Sequence, residues 1–238
     1  IRVAFHSPIP LYKIPLQFYN IPMITYFSAS DYYKNLFGQK VYKISLDAGC
    51  TCPTRDGTKG IGGCIFCSTS GSGDFASSKN LSIKEQVEQA KKLVENKLSS
   101  KNQTQEKKYI AYFQNFTNTY GNQEELLEKF TQAINQENIV GISIGTRPDC
   151  LSNEMIKKIS ELRPSNYPNN QEFHTSIELG FQTSNENSAN FIRRGYENSV
   201  YTDCVNRIHK IAPEIDVVTH LIFGIPDETE NDMLKSVE

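Results

Sequence analysis

Five short β-prone runs, each followed by helical periodicity, constrain this chain more than any other feature. Residues 41–47 (VYKISLD) alternate in polarity, and 109–114 (YIAYFQ), 139–144 (IVGISI), 173–180 (FHTSIELG) and 215–223 (IDVVTHLIF) follow as four further strands. The first intervening helix spans 82–98. It opens on Ser82-Ile-Lys-Glu85, a capping-box pattern, and repeats Ile83, Val87, Ala90 and Val94 at helical spacing. Further helices are expected at 122–135, 152–162, 184–194 and 199–211, and a last one begins at Thr229 and is cut off at Glu238. Such alternation predicts an α/β fold with a parallel sheet and right-handed crossovers. The sheet is either open and doubly wound or closed towards a barrel. Both designs gather functional groups at the carboxyl ends of the strands.

The unusual residues of this chain fall at those ends. The first strand runs into residues 47–70 (DAGCTCPTRDGTKGIGGCIFCSTS), which hold four of the six cysteines: Cys50, Cys52, Cys64 and Cys67. Cys64-x-x-Cys67 lets two thiolates reach one metal centre from a single turn. The stretch between Cys52 and Cys64 contains Gly57, Gly60, Gly62 and Gly63, and glycine permits positive φ and close backbone approach. A thiolate cluster in such a loop reads as a cofactor site. The residues leave two centres open: an iron–sulfur cluster on Cys52, Cys64 and Cys67, or a tetrahedral zinc that adds Cys50. Cys150 and Cys204 are isolated and read as small buried residues. Gln114, Asn115 and Thr117 follow the second strand, Gly145 to Asp149 the third, and Gln182 the fourth; His220 and Gly224-Ile-Pro226 close the fifth. Glu178, Gly180 and Gln182 share one parity, so a regular strand turns them to one side. Arg147 is placed to pair with Glu178 or Asp149, or to reach a substrate.

Composition narrows the class. A chain of 238 residues buries roughly three-quarters of its unfolded surface, so it needs no metal merely to hold together. A formal net charge of −2 gives no global bias towards nucleic acid or anionic membrane. Clustered cysteines in a chain of this size point to metal or redox use in a reducing compartment, hence a cytoplasmic protein, rather than to a secreted disulfide framework. Residues 1–30 are apolar but broken by Pro8, Pro10, Pro15 and Pro22. They read as an irregular extension without the unbroken run of a signal peptide or membrane helix, and no other segment is suited to span a membrane.

The motifs in order sharpen the reading. Cys52…Cys64-x-x-Cys67 after the first strand, then YFQNFTNTYG, GISIGTRPDCL, ELGFQTSNE, FIRRGYE and THLIFGIPDETENDML, resemble the radical S-adenosylmethionine (SAM) enzymes. They resemble in particular the Elongator-Elp3-like branch and its YhcC-like bacterial group. The likeness runs from about Asp31 to Glu238, which divides the chain into a 1–30 extension and a 31–238 core. It implies a partial (β/α)6 barrel truncated before its sixth strand, a 4Fe–4S cluster and SAM. By resemblance, Cys52, Cys64 and Cys67 hold three irons, and the fourth iron takes the amino and carboxylate groups of SAM. An external one-electron donor of flavodoxin or ferredoxin type then drives cleavage to a 5′-deoxyadenosyl radical, which takes hydrogen from a substrate. Cys50, at a position usually apolar in the family, becomes a bystander.

The same resemblance assigns Gln114 to the SAM amino group and Gln182 and His220 to the ribose; Glu178, by its shared parity with Gln182, is either a polar ligand contact or the balance of a nearby arginine. Arg194, twelve residues after Gln182, falls to the SAM carboxylate, while its neighbour Arg193 points elsewhere. Several relatives carry glutamate where this chain has Gly145, so no family contact transfers there. Elongator-type relatives act on transfer RNA, which makes RNA one substrate class to weigh; Lys91, Lys92, Lys107 and Lys108 are either a basic patch for it or ordinary solvated faces. Two rival functions stand beside the enzyme. One is a zinc-stabilised four-cysteine binding module without catalysis. The other is an electron-transfer iron–sulfur protein, which lacks a fourth cysteine at ferredoxin-like spacing and would need neither Gln182 nor Arg194.

Overall fold

The structure, a computed structural model, describes residues 26–71, 76–98, 106–165, 167 and 173–238. Residues 1–25, most of the expected extension, and residues 99–105 lie outside them. Five parallel strands form one sheet: β1 (Val41–Leu46), β2 (Lys108–Phe113), β3 (Ile139–Thr146), β4 (His174–Gln182) and β5 (Asp216–Leu221). Their spatial order is β1-β2-β3-β4-β5. A doubly wound sheet must reverse its order at a switch point; this one never does. The fold is therefore a partial α/β barrel.

Each crossover helix forms where local chemistry favours it. α2 (Ile83–Leu98) starts on the expected box: Ser82 N–H donates to Glu85 Oε2 at 2.8 Å and Glu85 N–H to Ser82 Oγ at 3.3 Å. It buries Ile83, Val87 and Ala90 against the sheet. α3 (Gln123–Ile134) is capped by Asn122 and buries Leu126, Phe130 and Ala133. α4 (Asn153–Ser160) is capped by Ser152. α6 (Asn198–Ile211) and α7 (Glu230–Val237) follow, the latter with a Thr229–Asp232 capping box. The helix expected over 184–194 is shorter: α5 (Glu186–Phe191) stops before Arg193, whose φ of 57° cannot continue a helix. That break turns the segment back across the cysteine loop.

The helix α1 (Ala29–Phe37), capped by Ser28 and closed by Gly38 in the left-handed region, was not read from the sequence. It packs Tyr33 with Val41, Ile110 and Val140, and its Tyr32 hydroxyl bonds Asp216. It thus covers the amino ends of the strands, opposite the cysteine loop. No described helix is long and apolar enough to cross a membrane.

Candidate cofactor site

The cysteine loop is anchored where it leaves β1. Asp47 is buried; Gln86 of α2 accepts from its N–H at 2.8 Å and donates to its carbonyl at 3.1 Å. Its carboxylate accepts from Asn115 Nδ2 at 2.7 Å and from Gly49 N–H at 2.7 Å. Arg55 then ties the two halves of the loop together. Its guanidinium donates to the carbonyls of Ser68 (2.5 Å), Cys67 (3.3 Å) and Thr69 (3.4 Å) and lies 5.4 Å from the Phe116 ring centre. Two glycines make this possible. A Cβ at Gly63 would lie 2.7 Å from Arg55 Nε, and one at Gly71 would lie 2.3 Å from the Phe116 ring. Arg55 went unnoticed in the sequence because nothing in TRDGTKG says which way the loop folds back.

Within this frame Cys67 N–H donates to Cys64 C=O at 3.1 Å, closing the Cys-x-x-Cys turn. The Cys64 and Cys67 thiols share a hydrogen bond. Cys64 Sγ also donates to the Arg193 carbonyl at 3.2 Å, and Cys52 Sγ lies 3.1 Å from Thr54 Oγ1. The Cys67 contact and burial push Cys64 towards its thiol form, while the nearby Arg147 charge pulls the other way. Three thiols on one loop, without imidazole or carboxylate among them, suit an iron–sulfur centre by their softness. Among the described residues no group of three or more His, Cys, Asp or Glu side chains is gathered to hold a metal, and Cys52 Sγ is engaged with Thr54. Cys50 instead packs against the helix-covered core, where burial pushes its pKa up to about 12. Burial raises Cys150 to about 12 and Cys204 to about 11.

Deeper in the barrel lies a polar cluster. The Glu178 carboxylate, only 4 % exposed, accepts from Ser143 Oγ at 2.5 Å, sits 2.7 Å from His220 Nε2 and is ion-paired with Lys43. Ser176 Oγ donates to Ser143 Oγ at 2.8 Å. Burial alone would raise the Glu178 pKa, but the His220 hydrogen bond and the Lys43 charge outweigh it and hold the carboxylate ionised well below the usual range. Lys43 Nζ lies 5.0 Å from the Tyr112 ring centre, a cation–π contact. So Glu178 and His220 are brought together. Lys43 was missed, although its parity with Ser45 on β1 was the available signal.

Gln114, past the end of β2, accepts from Ser45 Oγ at 2.9 Å. In the same exit loop Asn115 Oδ1 and Thr117 Oγ1 are buried without a protein partner. Regular alternation on β4 ends at Gly180. The register shifts between Gly180 and Gln182, and Gln182 has a φ of 69°. Its amide nonetheless folds back beside Gly180, where a Cβ would lie 2.5 Å from Gln182 Nε2. Arg194 is 1 % exposed. Its guanidinium donates to the carbonyls of Phe181 (2.9 Å), Thr183 (2.8 Å) and Tyr196 (2.9 Å) and to Glu186 (3.1 Å), so it clamps the β4 exit. Arg147 pairs with Asp149, not Glu178. The lysines weighed for RNA lie elsewhere: Lys108 opens β2 and reaches the Phe37 carbonyl at 3.4 Å, and Lys91 bonds the Glu137 carbonyl before β3. Both sit at the amino ends of the strands, away from the cysteine loop.

The sequence profile of the Radical SAM superfamily matches residues 58–238. This chain belongs to the radical SAM superfamily. Cys64 and Cys67 lie inside the matched span and Cys52 just before it. This radical SAM protein is 40 % identical over 202 residues to YtqA of Bacillus subtilis, covering 85 % of this chain and 58 % of that protein. To YhcC of Escherichia coli K12 it is 35 % identical over 204 residues, covering 85 % and 60 %. It therefore spans about three-fifths of the length of these relatives. Elp3 of Methanocaldococcus infernus, solved with its N-terminus deleted, superposes with a TM-score of 0.50 at 16 % identity, covering 82 % of this chain and 41 % of that one; this likeness concerns the fold. At the level of sequence, then, the chain is similar to YtqA and YhcC within that superfamily. The general chemistry of that superfamily uses a 4Fe–4S cluster, SAM and an external electron donor.

Proposed function

We propose that this protein is the core of a radical SAM enzyme, with Cys52, Cys64 and Cys67 holding a 4Fe–4S cluster and the carboxyl ends of β2, β4 and β5 holding SAM. The observation that carries the reading is the cysteine loop, with two thiols in contact at the barrel mouth and a third on the same tied loop. When bound, cluster and SAM together supply one-electron cleavage of the sulfonium to methionine and a 5′-deoxyadenosyl radical. The protein contributes position and exclusion of water. Asp47 and Arg55 fix the backbone path of the loop, so that binding asks for side-chain turns of the cysteines and not for a new loop path. Asn115 Oδ1 and Thr117 Oγ1, buried without protein partners, offer two acceptors in the β2 exit loop beside Gln114, the proposed contact for the SAM amino group. Gln182 is proposed to hold the ribose together with His220, whose ring Glu178 orients. Arg194 supports Gln182 by clamping the turn from which it emerges.

The test is anaerobic reconstitution with iron and sulfide, followed by reduction and chromatography for 5′-deoxyadenosine. The expected outcome is broad visible absorption that changes on SAM addition, with 5′-deoxyadenosine formed. Cys64→Ala should lose most of the iron, the colour and SAM cleavage together, because one of three ligands is gone. Retention of full iron and colour by that variant rejects the assignment, and colourless wild-type protein with one zinc per chain replaces it with the zinc module.

A further inference from the structure

We propose that Arg147 is the charge partner of the cysteine-held centre, a positioning residue that makes the reduced state of that centre easier to reach. This rests on the cluster reading above. Arg147 is buried, and its fork is fully directed: Nε and one terminal nitrogen each lie 2.9 Å from Asp149 oxygens, and the other terminal nitrogen donates to the Arg194 carbonyl at 2.8 Å. The turn it grips is the turn on which the cysteine loop rests. Cys64 Sγ donates to the Arg193 carbonyl at 3.2 Å, and Ile65 N–H donates to the Ile192 carbonyl at 3.1 Å. The Thr54 methyl lies 3.3 Å from where a Cβ of Gly195 would stand, and Arg147 itself lies 3.6 Å from that point. Thr54 in turn touches Cys52. One short stretch of backbone, 192–195, thus separates a buried guanidinium from two of the three thiols.

The local charge count favours a net cation. Asp149 accepts from Arg147 on one side and is ion-paired with Lys59 of the cysteine loop on the other. Burial would raise the Asp149 pKa, but these two partners outweigh it and keep the carboxyl ionised below its usual range. Among these three groups two cations and one anion leave one surplus positive charge, and the buried Arg147, not the Lys59 side chain with its 42 % exposure, is the cation close to Cys64. When a flavodoxin- or ferredoxin-class donor passes one electron to the centre, the donor is oxidised by one electron and the centre gains one negative charge. A buried cation close by is attracted more strongly to that reduced form, because screening is weak in the interior. Net charge and hydrogen bonding around the sulfurs are what set iron–sulfur potentials.

The test is a redox titration of reconstituted protein followed by electron paramagnetic resonance. Arg147→Gln should move the midpoint to more negative potential with iron content unchanged, and Arg147→Lys should restore most of the shift. Asp149→Asn should move it the opposite way, since it removes the anion, and Lys59→Gln should move it negative by a smaller amount. Opposite signs from two halves of one ion pair are not what general loosening of the fold produces. Where Arg147→Gln does not fold, the Asp149 and Lys59 variants decide by the same signs. Wild-type potential in the variants with a full cluster, or shifts of one sign in all of them, overturns the proposal alone. Absence of any cluster in the wild type overturns the function reading instead.

Discussion

Two rows of side chains cross the sheet one residue apart. Leu46, Phe113, Ile144, Ile177 and Val217 align from β1 to β5 and pack under the helices; one step earlier, Ser45, Tyr112, Ser143, Ser176 and Asp216 align on the other face. Parallel strands buried on both faces usually read as continuous apolar runs. Here the inner face is polar instead, and its groups bond one another. The difference teaches a division of labour. The outer row removes hydrocarbon from water and holds the fold. On the inner row the hydroxyls of Ser143 and Ser176 are dry and oriented beside Glu178, ready for a polar ligand.

The comparison breaks first at its apolar end. Phe113 is fully buried and its ring centre lies 4.8 Å from that of Phe130. Phe113→Ala should cost about 3–5 kcal/mol in urea unfolding, through lost burial and an unfilled cavity. A cost below about 1 kcal/mol would mean that the outer row does not carry the fold.

On the inner row the charged cluster gives the next effect. Glu178→Gln leaves Lys43 without its anion. A fully buried pair loses about 3–5 kcal/mol when one partner goes, but the Lys43 side chain keeps 30 % of its exposure, so about 2 kcal/mol at pH 7 is expected. The pH dependence has a defined sign. The folded pKa of Glu178 lies below the ordinary 4.5, so its stabilisation is fully present above about 4.5 and is lost as pH falls through the folded value. Unfolding midpoints of wild type and Glu178→Gln should therefore differ most near neutrality and converge in acid. A gap that widened in acid would show that Glu178 is not the ionised member of the cluster.

The smallest effect sharpens the contrast. Ser176→Ala removes only the hydrogen bond to Ser143 and should cost about 1 kcal/mol. Combined with Ser143→Ala it should be non-additive, since the two hydroxyls share one network. Strict additivity would mean that the inner row is a set of separate pairs.

Much of this was legible along the chain. Strand and helix periodicity is local, so all five strands, the Ser82–Glu85 and Thr229 helix starts, and the cysteine spacing could be read directly. The shared parity of Glu178, Gly180 and Gln182 turned Glu178 to one side of its strand with Gln182. Three things needed the folded chain. Strand order separated a barrel from a doubly wound sheet, because pairing between distant strands leaves no mark in either. The αL residue at Gln182 broke the period-two rule where local strain is supported from outside, by Arg194 thirteen residues from Phe181 in sequence but bonded to its carbonyl. The partners of Arg147, Arg55 and Lys43 were also undecided, since a long cationic side chain can reach many acceptors and only the surrounding backbone selects among them. Sequence alone determined which groups would gather at the barrel mouth; tertiary structure decided which of them face each other, because charge pairing depends on distances that the order of residues does not contain.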